Sequence, residues 1–177
     1  MIIQGEYYFD SKNTTTSTQQ ATVVANISLP TGSATKNPPT GSGSTGFFVG
    51  TTFNKTYIDW FMYASPGFNY HTQQNGYQAG NNYLYQAAIG RSFYSDPNKW
   101  IIAWQVEADG TYSDKNKADY SLDENSGGNV IFLTPSLWAS SQHLIAQVGI
   151  GYPIVQHWNG DQSNLSFLYI GSIGWTF

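Results

Sequence analysis

The chain has 177 residues, enough for one domain with a sizeable interior. Only 10 % of them are charged, against about 25 % in ordinary soluble domains, and a net charge of −4 gives no electrostatic case for nucleic acid. The absence of cysteine excludes disulfides, thiol catalysis and Cys-ligated zinc, and no apolar run reaches the ~18 residues of a helical membrane span.

Aromatics make up 16 %, with 13 Tyr and 6 Trp, yet the mean hydropathy is −0.35. Few charges, many aromatics and abundant Ser, Thr, Asn, Gln and Gly suit strands with one face in hydrocarbon and the other in a wet lumen. They also suit a secreted β-sandwich that binds glycans. Composition alone leaves both open.

Helical periodicity is nearly absent, and nine alternating segments recur between turn clusters. They cover residues 3–9, 21–29, 45–53, 58–70, 83–93, 100–109, 129–139, 144–155 and 165–177. In the second, Val23, Ala25, Ile27 and Leu29 share one face, and Thr22, Val24, Asn26 and Ser28 the other. In the fourth, Ile58, Trp60, Met62, Ala64, Pro66 and Phe68 oppose Asp59, Phe61, Tyr63, Ser65 and Asn69. The sixth is the clearest: Trp100, Ile102, Trp104, Val106 and Ala108 stand against Ile101, Ala103, Gln105, Glu107 and Asp109.

The connections alternate in length. Short turns are expected at 54–57, 95–99 and 140–143, and longer loops at 30–44, 73–82, 110–128 and around Trp158 to Asp161. Short periplasmic turns with longer external loops are the asymmetry of outer-membrane barrels, and a sandwich has no reason to sort loops by parity. The last segment alternates Leu165, Phe167, Tyr169, Gly171, Ile173, Trp175 and Phe177 with small or polar residues. A terminal aromatic of this kind resembles the assembly signal of Gram-negative outer-membrane barrels, although the glycines fall at Gly171 and Gly174 rather than five before Phe177.

Several stretches carry a resemblance to one family: Ile27-Ser28-Leu29-Pro30-Thr31-Gly32, Thr40-Gly41-Ser42-Gly43-Ser44-Thr45-Gly46-Phe47-Phe48-Val49-Gly50, Thr134-Pro135-Ser136-Leu137, Gly151-Tyr152-Pro153-Ile154-Val155-Gln156 and Gly174-Trp175-Thr176-Phe177. In their order the chain resembles the outer-membrane β-barrel family of the meta-pathway of phenol degradation, whose members are described as transporters. The resemblance covers most of the chain from about Ile27. It implies an outer-membrane barrel that passes aromatic or other small apolar compounds, with no catalytic residues to carry over.

Lumen-facing candidates are Asp59, Tyr63, Gln86, Gln105, Glu107, Asp109 and Gln147. Glu107 and Asp109, with Gln105 beside them, form a polar patch that steers solutes, a charged cluster bonded to Arg91 or Lys99, or an ordinary wet interior. Membrane-interface aromatics are Trp60, Tyr83, Trp100, Trp138, Tyr152, Tyr169, Trp175 and Phe177, where an amphipathic ring suits the headgroup boundary. In a sandwich the same rings would be a sugar-stacking platform. Arg91 falls on the oily face near the turn end; either it snorkels to the headgroups or the register slips locally. Pro66, Pro135 and Pro153 each remove a ladder donor; they read as bulges, as kinks beside a lateral opening or, more simply, as strand-end markers.

His71, His143 and His157 lie at loop or turn positions on different ends, so no metal site is expected. The Gly-rich 40–44 stretch lacks the lysine and helix of a phosphate-binding loop. The loop with Asp114, Asp119, Asp123 and Glu124 lacks EF-hand spacing. No paired carboxylates at glycosidase spacing and no mid-strand His–Ser pair are evident, so no enzymatic role and no cofactor are expected.

Residues 1–177 are therefore expected to form one domain, an antiparallel up-and-down transmembrane β-barrel of about nine or ten strands in the bacterial outer membrane. Nine is an odd count for such barrels, and Met1 runs directly into strand sequence without an export signal. Either an N-terminal part is missing, or the true count is eight or ten. The expected role is a passive, porin-like channel for small solutes. Its expected partners are outer-membrane lipids, the barrel-assembly machinery through the C-terminal strand, and the solute; no nucleic acid is expected. The alternatives are the soluble glycan-binding sandwich, and a barrel acting as a structural or adhesive surface protein through its 110–128 loop.

Overall fold

A computed structural model describes residues 1–31, 44–96, 99–119 and 121–175. The described residues contain twelve strands and no helix. Nine are long: β1 (Ile2–Asn13), β2 (Ser17–Ser28), β3 (Gly46–Tyr57), β4 (Trp60–His71), β6 (Asn82–Ser95), β7 (Ile101–Ser113), β10 (Gly128–Ser140), β11 (Leu144–Trp158) and β12 (Leu168–Trp175). Three are two-residue strands within the longer loops: β5 (Tyr77–Gln78), β8 (Lys117–Ala118) and β9 (Ser121–Leu122).

The long strands form one meander in the order β1-β2-β3-β4-β6-β7-β10-β11-β12, every pair antiparallel. Among the described residues extensive contacts run only between ladder neighbours, with no second layer. This departs from the sandwich alternative, in which two sheets must cover each other's apolar faces. Ile173 and Trp175, which such a sandwich would bury, are 83 % and 61 % exposed.

The sheet is open. Among the described residues β1 and β12 have no ladder partner on their outer edges, so no seam joins them. Parity supplies the reason. With nine alternating strands, β1 and β12 run in the same direction, and an antiparallel seam between them is geometrically unavailable.

Register sorts the side chains into two unlike faces. One carries Thr22, Thr52, Tyr63, Gln86, Glu107, Thr134, Gln147 and their row mates; the other carries Val23, Val49, Met62, Ile89, Val106, Leu137 and Val148. The polar face is the buried one. Thr22, Ala88, Ala103, Glu107, Thr134 and Ser136 are buried, whereas Val49, Met62, Leu137, Val148 and Ile150 are exposed. In a single layer this difference arises when the sheet curls around its polar side.

Connections also segregate. At one end they are the short 14–16, 58–59, 96–100 and 141–143; at the other they are 29–45, 72–81, 114–127 and 159–167. The long set is braced: β5-β8-β9 form a small sheet, Asn116 Oδ1 accepts from Gly80 N (2.9 Å), and Gln162 Nε2 donates to Gly127 O (2.8 Å). The sequence reading missed β5, β8 and β9 because two-residue strands have no periodicity. Most of the expected 30–44 loop, the 40–43 glycine motif, Pro97, Asn98, Thr176 and Phe177 lie outside the described residues.

Two expectations are corrected. Residues 54–57 continue β3, and the turn consists of Ile58 and Asp59, which had been assigned to the following strand. Its Lys, Thr and Tyr residues tolerate a strand, so composition misplaced the turn. Pro66, Pro135 and Pro153 end no strand. All three sit inside β4, β10 and β11, and the pairing is interrupted beside each, as a missing N–H requires.

Ile58 has φ of 54°, a region that is costly for a β-branched residue, and it is 68 % exposed. Ile58→Gly removes that strain and little packing. It should raise unfolding stability by about 1 kcal/mol, read as a later urea midpoint.

Candidate functional site: the polar face of the sheet

At the centre of the curled face β4, β6 and β7 stand side by side, with Tyr63 opposite Ala88 and Ala88 opposite Glu107. Alanine between them lets the two larger side chains meet across its methyl group. The Tyr63 hydroxyl donates to Glu107 Oε1. Gln86 Nε2 donates to the same oxygen and, at 2.6 Å, to Asp109 Oδ1. Gln105 Nε2 donates to Glu107 Oε2 at 3.0 Å.

Period-two spacing puts Gln105, Glu107 and Asp109 on one face of β7, and the amide of Gln86 separates the two carboxylates. Glu107 is only 7 % exposed, and these donors replace its lost hydration. Its nearest neighbour on β10 is Thr134, fully buried, whose Oγ1 has no hydrogen-bond partner among the described atoms. Further along the face, Thr52 and Ser65 hydroxyls pair at 3.0 Å and Gln147 Nε2 donates to Ser136 Oγ at 3.4 Å.

Five expected lumen candidates therefore meet: Tyr63, Gln86, Gln105, Glu107 and Asp109. Gln147 shares the face four strands from Tyr63, on β11. Asp59 does not belong. It sits in the β3–β4 turn, where Arg91 Nε lies 2.6 Å from its Oδ2 and the guanidinium stands 5.4 Å from the Trp60 ring centre. The expected pairing of Arg91 or Lys99 with the Glu107 patch is not made; Arg91 points to the opposite face, opposite Trp60 and Trp104. No Lys or Arg of the described long strands lies on the polar face, whereas Glu6, Glu107 and Asp109 do. That face is a hydrogen-bonding surface of negative sign.

The apolar face has an aromatic row at each end. Toward the long loops, Phe68, Tyr83 and Tyr112 follow one another at 4.9 and 5.8 Å, Phe47 meets Tyr70 at 6.4 Å, and Tyr152 meets Phe167 at 5.7 Å. Toward the short turns, Trp60 meets Trp104 at 5.8 Å and Trp175 stacks on His143 at 6.2 Å. Aliphatic side chains fill the middle. Trp60, Tyr83, Tyr152 and Trp175 thus sit in these rows, and Trp100 lies in the turn before β7. Tyr169 faces the same way, opposite Ile150.

Trp138 departs from expectation. Register sets it between Ala103 and Gln147 on the polar face, because its strand alternates as Ser136, Trp138, Ser140 on that side. Phe68, Tyr70 and Tyr112 were missed, although their spacing from Met62 and Val106 by even steps already assigned them to the oily face. Tyr85 lies across Gly110, where a Cβ would fall 1.8 Å from its ring, and its hydroxyl donates to Asn129. The histidines are dispersed: Nε2 of His71 lies 3.2 Å from Asn69 Nδ2 and 3.3 Å from Asn82 Nδ2, His143 is in a short turn, and His157 is near the far end of β11.

No family model matches the chain, and no curated protein matches it significantly.

Glu107→Ala leaves the Tyr63, Gln86 and Gln105 donors without their shared acceptor and should cost about 3 kcal/mol of stability, measured by urea unfolding. A second expectation concerns the turn. The hydrogen bond from Arg91 holds the Asp59 carboxyl below its usual value. A depressed carboxylate contributes above its unfolded pKa and stops contributing as pH falls through the folded one. Wild type and Asp59→Asn should therefore differ in thermal midpoint at pH 7 and converge near about pH 2.

Proposed function

We propose that this chain forms the wall of an outer-membrane β-barrel that lets small solutes, aromatic and apolar ones among them, pass passively. The observation that carries this is the inverted polarity of a single-layer sheet: hydrogen-bonding side chains face the sheltered interior, and aliphatic ones face out. Water on both sides would make such an arrangement costly, since every outward Val, Ile and Leu would expose apolar area. Hydrocarbon outside and water inside make it favourable.

Three further features support the reading. The aromatic rows at both ends of the apolar face match the girdles that hold a wall at two headgroup layers. On β6, Tyr83 and Arg91 mark the two rows, about 27 Å apart along the strand; a tilt of ~40° reduces this to about 20 Å of height, close to the apolar band of such proteins. Arg91 lies in the row by the short turns, where it reaches headgroups and Asp59. Short and long connections are sorted to opposite ends, as in barrels whose short turns are periplasmic. The resemblance to the phenol meta-pathway family points to the same class of cargo.

The reading also states a requirement. An unpaired edge in lipid costs several kcal/mol per backbone group, so the β1 and β12 edges must be satisfied in the membrane. Because these strands run the same way, an antiparallel closure takes an odd number of further strands between them, the smallest being one. A wall of about ten strands encloses a narrow bore, and Tyr63, Gln86, Gln105 and Trp138 would restrict it further. Passage needs no chemistry: the polar face supplies a path, and its carboxylates supply a preference for cations.

The test is folding into detergent with a heat-dependent gel shift, followed by flux into liposomes of phenol-sized and sugar-sized solutes. Phenol-sized solutes should enter faster than protein-free leakage; no excess flux overturns the channel. In planar bilayers, Glu107→Gln combined with Asp109→Asn should lower the cation-to-anion permeability ratio by about threefold or more, whereas Asp59→Asn should leave it unchanged.

A further inference from the structure

Three outward alanines stand in one register row on adjacent strands: Ala64 opposite Ala87, and Ala87 opposite Ala108. Their short side chains lower the surface there. The next row, Met62, Ile89 and Val106, is tall and forms a wall. The result is a trough of about 750 Å³ on the apolar face, running from Phe9 and Asp10 on β1 past Ala21 and Phe53 to Leu133 on β10. Its alanine-floored stretch, from β3 to β10, crosses four strand spacings, about 19 Å, the reach of a long acyl chain. A second apolar depression of about 590 Å³ continues from Val106 to Tyr169.

The end beyond Phe53, on β1 to β3, is not apolar. Lys12 lies opposite Gln19, and Gln19 opposite Lys55, so the two lysines flank one glutamine on the outward face. Only four charged side chains of the nine long strands face outward: Asp10, Lys12, Lys55 and Arg91. Arg91 is engaged by Asp59, and Asp10 accepts from Gln19 Nε2 at 2.8 Å. Lys12 and Lys55 form no ion pair among the described residues. Asp10, the one carboxylate at this end, is bonded by the Gln19 amide, so the two lysines leave a net positive charge there, which complements a phosphate joined to an acyl chain.

We propose that the trough binds one membrane glycerophospholipid, its acyl chain over Ala64, Ala87 and Ala108 and its phosphate between Lys12 and Lys55. This rests on the membrane reading above and goes further: it names a retained lipid at one place on the wall, where bulk lipid would exchange freely. It also explains why two unpaired lysines lie beside an oily surface. Their stems can follow the trough while their ammonium groups stay at the headgroup level.

The test inserts the protein into vesicles of phosphatidylethanolamine and phosphatidylglycerol and floats them. The protein is then extracted, taken through detergent exchange, and weighed by native mass spectrometry. Wild type should float and keep one phospholipid per chain. Lys12→Gln with Lys55→Gln should float equally and keep about tenfold less, the effect of losing roughly 1.4 kcal/mol of headgroup binding. Ala87→Phe with Ala108→Phe should lose the lipid by filling the trough. The lysine pair is exposed, so that variant stays informative if the alanine variant misfolds. A wild type that floats without retaining phospholipid, or a lysine variant that retains it equally, overturns the site and leaves the barrel reading intact. A wild type that does not float overturns both.

Discussion

Everything here depends on the antiparallel ladder. A single layer of strands has no second sheet or helix to pack against, so its cohesion is the row of backbone hydrogen bonds between neighbours and the side-chain pairs beside them. That ladder forces successive side chains onto opposite faces. Once it forms, the sequence alternation becomes a spatial separation of polar from apolar, and the curl of the sheet decides which of the two is sheltered. Prolines and bulges interrupt the ladder locally. The shifts in β1, β6 and β11 bend the strands without exchanging the faces of the sheet as a whole.

The sheltered face obeys the rules of a buried polar network more than those of a hydrophobic core. Its fully enclosed residues are Ala103 and Thr134, and its central carboxylate is held by a phenol and two amides. Such a network is worth having only when satisfied. Glu107 meets that condition, with donors on both oxygens. Ala88 makes the geometry feasible, since a larger residue there would separate Tyr63 from Glu107. Small residues thus serve opposite ends on the two faces: inside they allow polar side chains to converge, and outside they cut a trough into an oily surface.

Charge follows the same division. Of the long strands' carboxylates, Glu6, Glu107 and Asp109 lie on the interior face and Asp10 alone looks outward, whereas the lysines and the arginine all look outward toward the short-turn end. In the proposed channel, these interior anions are what would favour cations and solutes that donate hydrogen bonds. Outward cations near the turns favour phosphate headgroups. One strand set therefore presents two electrostatic surfaces of opposite sign, separated by the thickness of a single sheet.

The amino-acid sequence by itself determined the strand count of the large sheet, the order of the meander and the parity of most side chains. Period-two alternation is a local property that needs no partner to be read. It was enough to put Tyr63, Gln86, Gln105, Glu107 and Asp109 on one side. Only the tertiary structure decided what depends on register between strands. That includes Trp138 facing the polar side, Asp59 leaving the interior for a turn with Arg91, the prolines lying within strands, and the alanines of β4, β6 and β7 aligning in one row. It also decided that nine strands stay open, because pairing between first and last depends on their relative direction across the whole sheet. Register is set by bulges and turn lengths distant in the chain, and no window of sequence contains both halves of a pair that lies twenty or more residues apart.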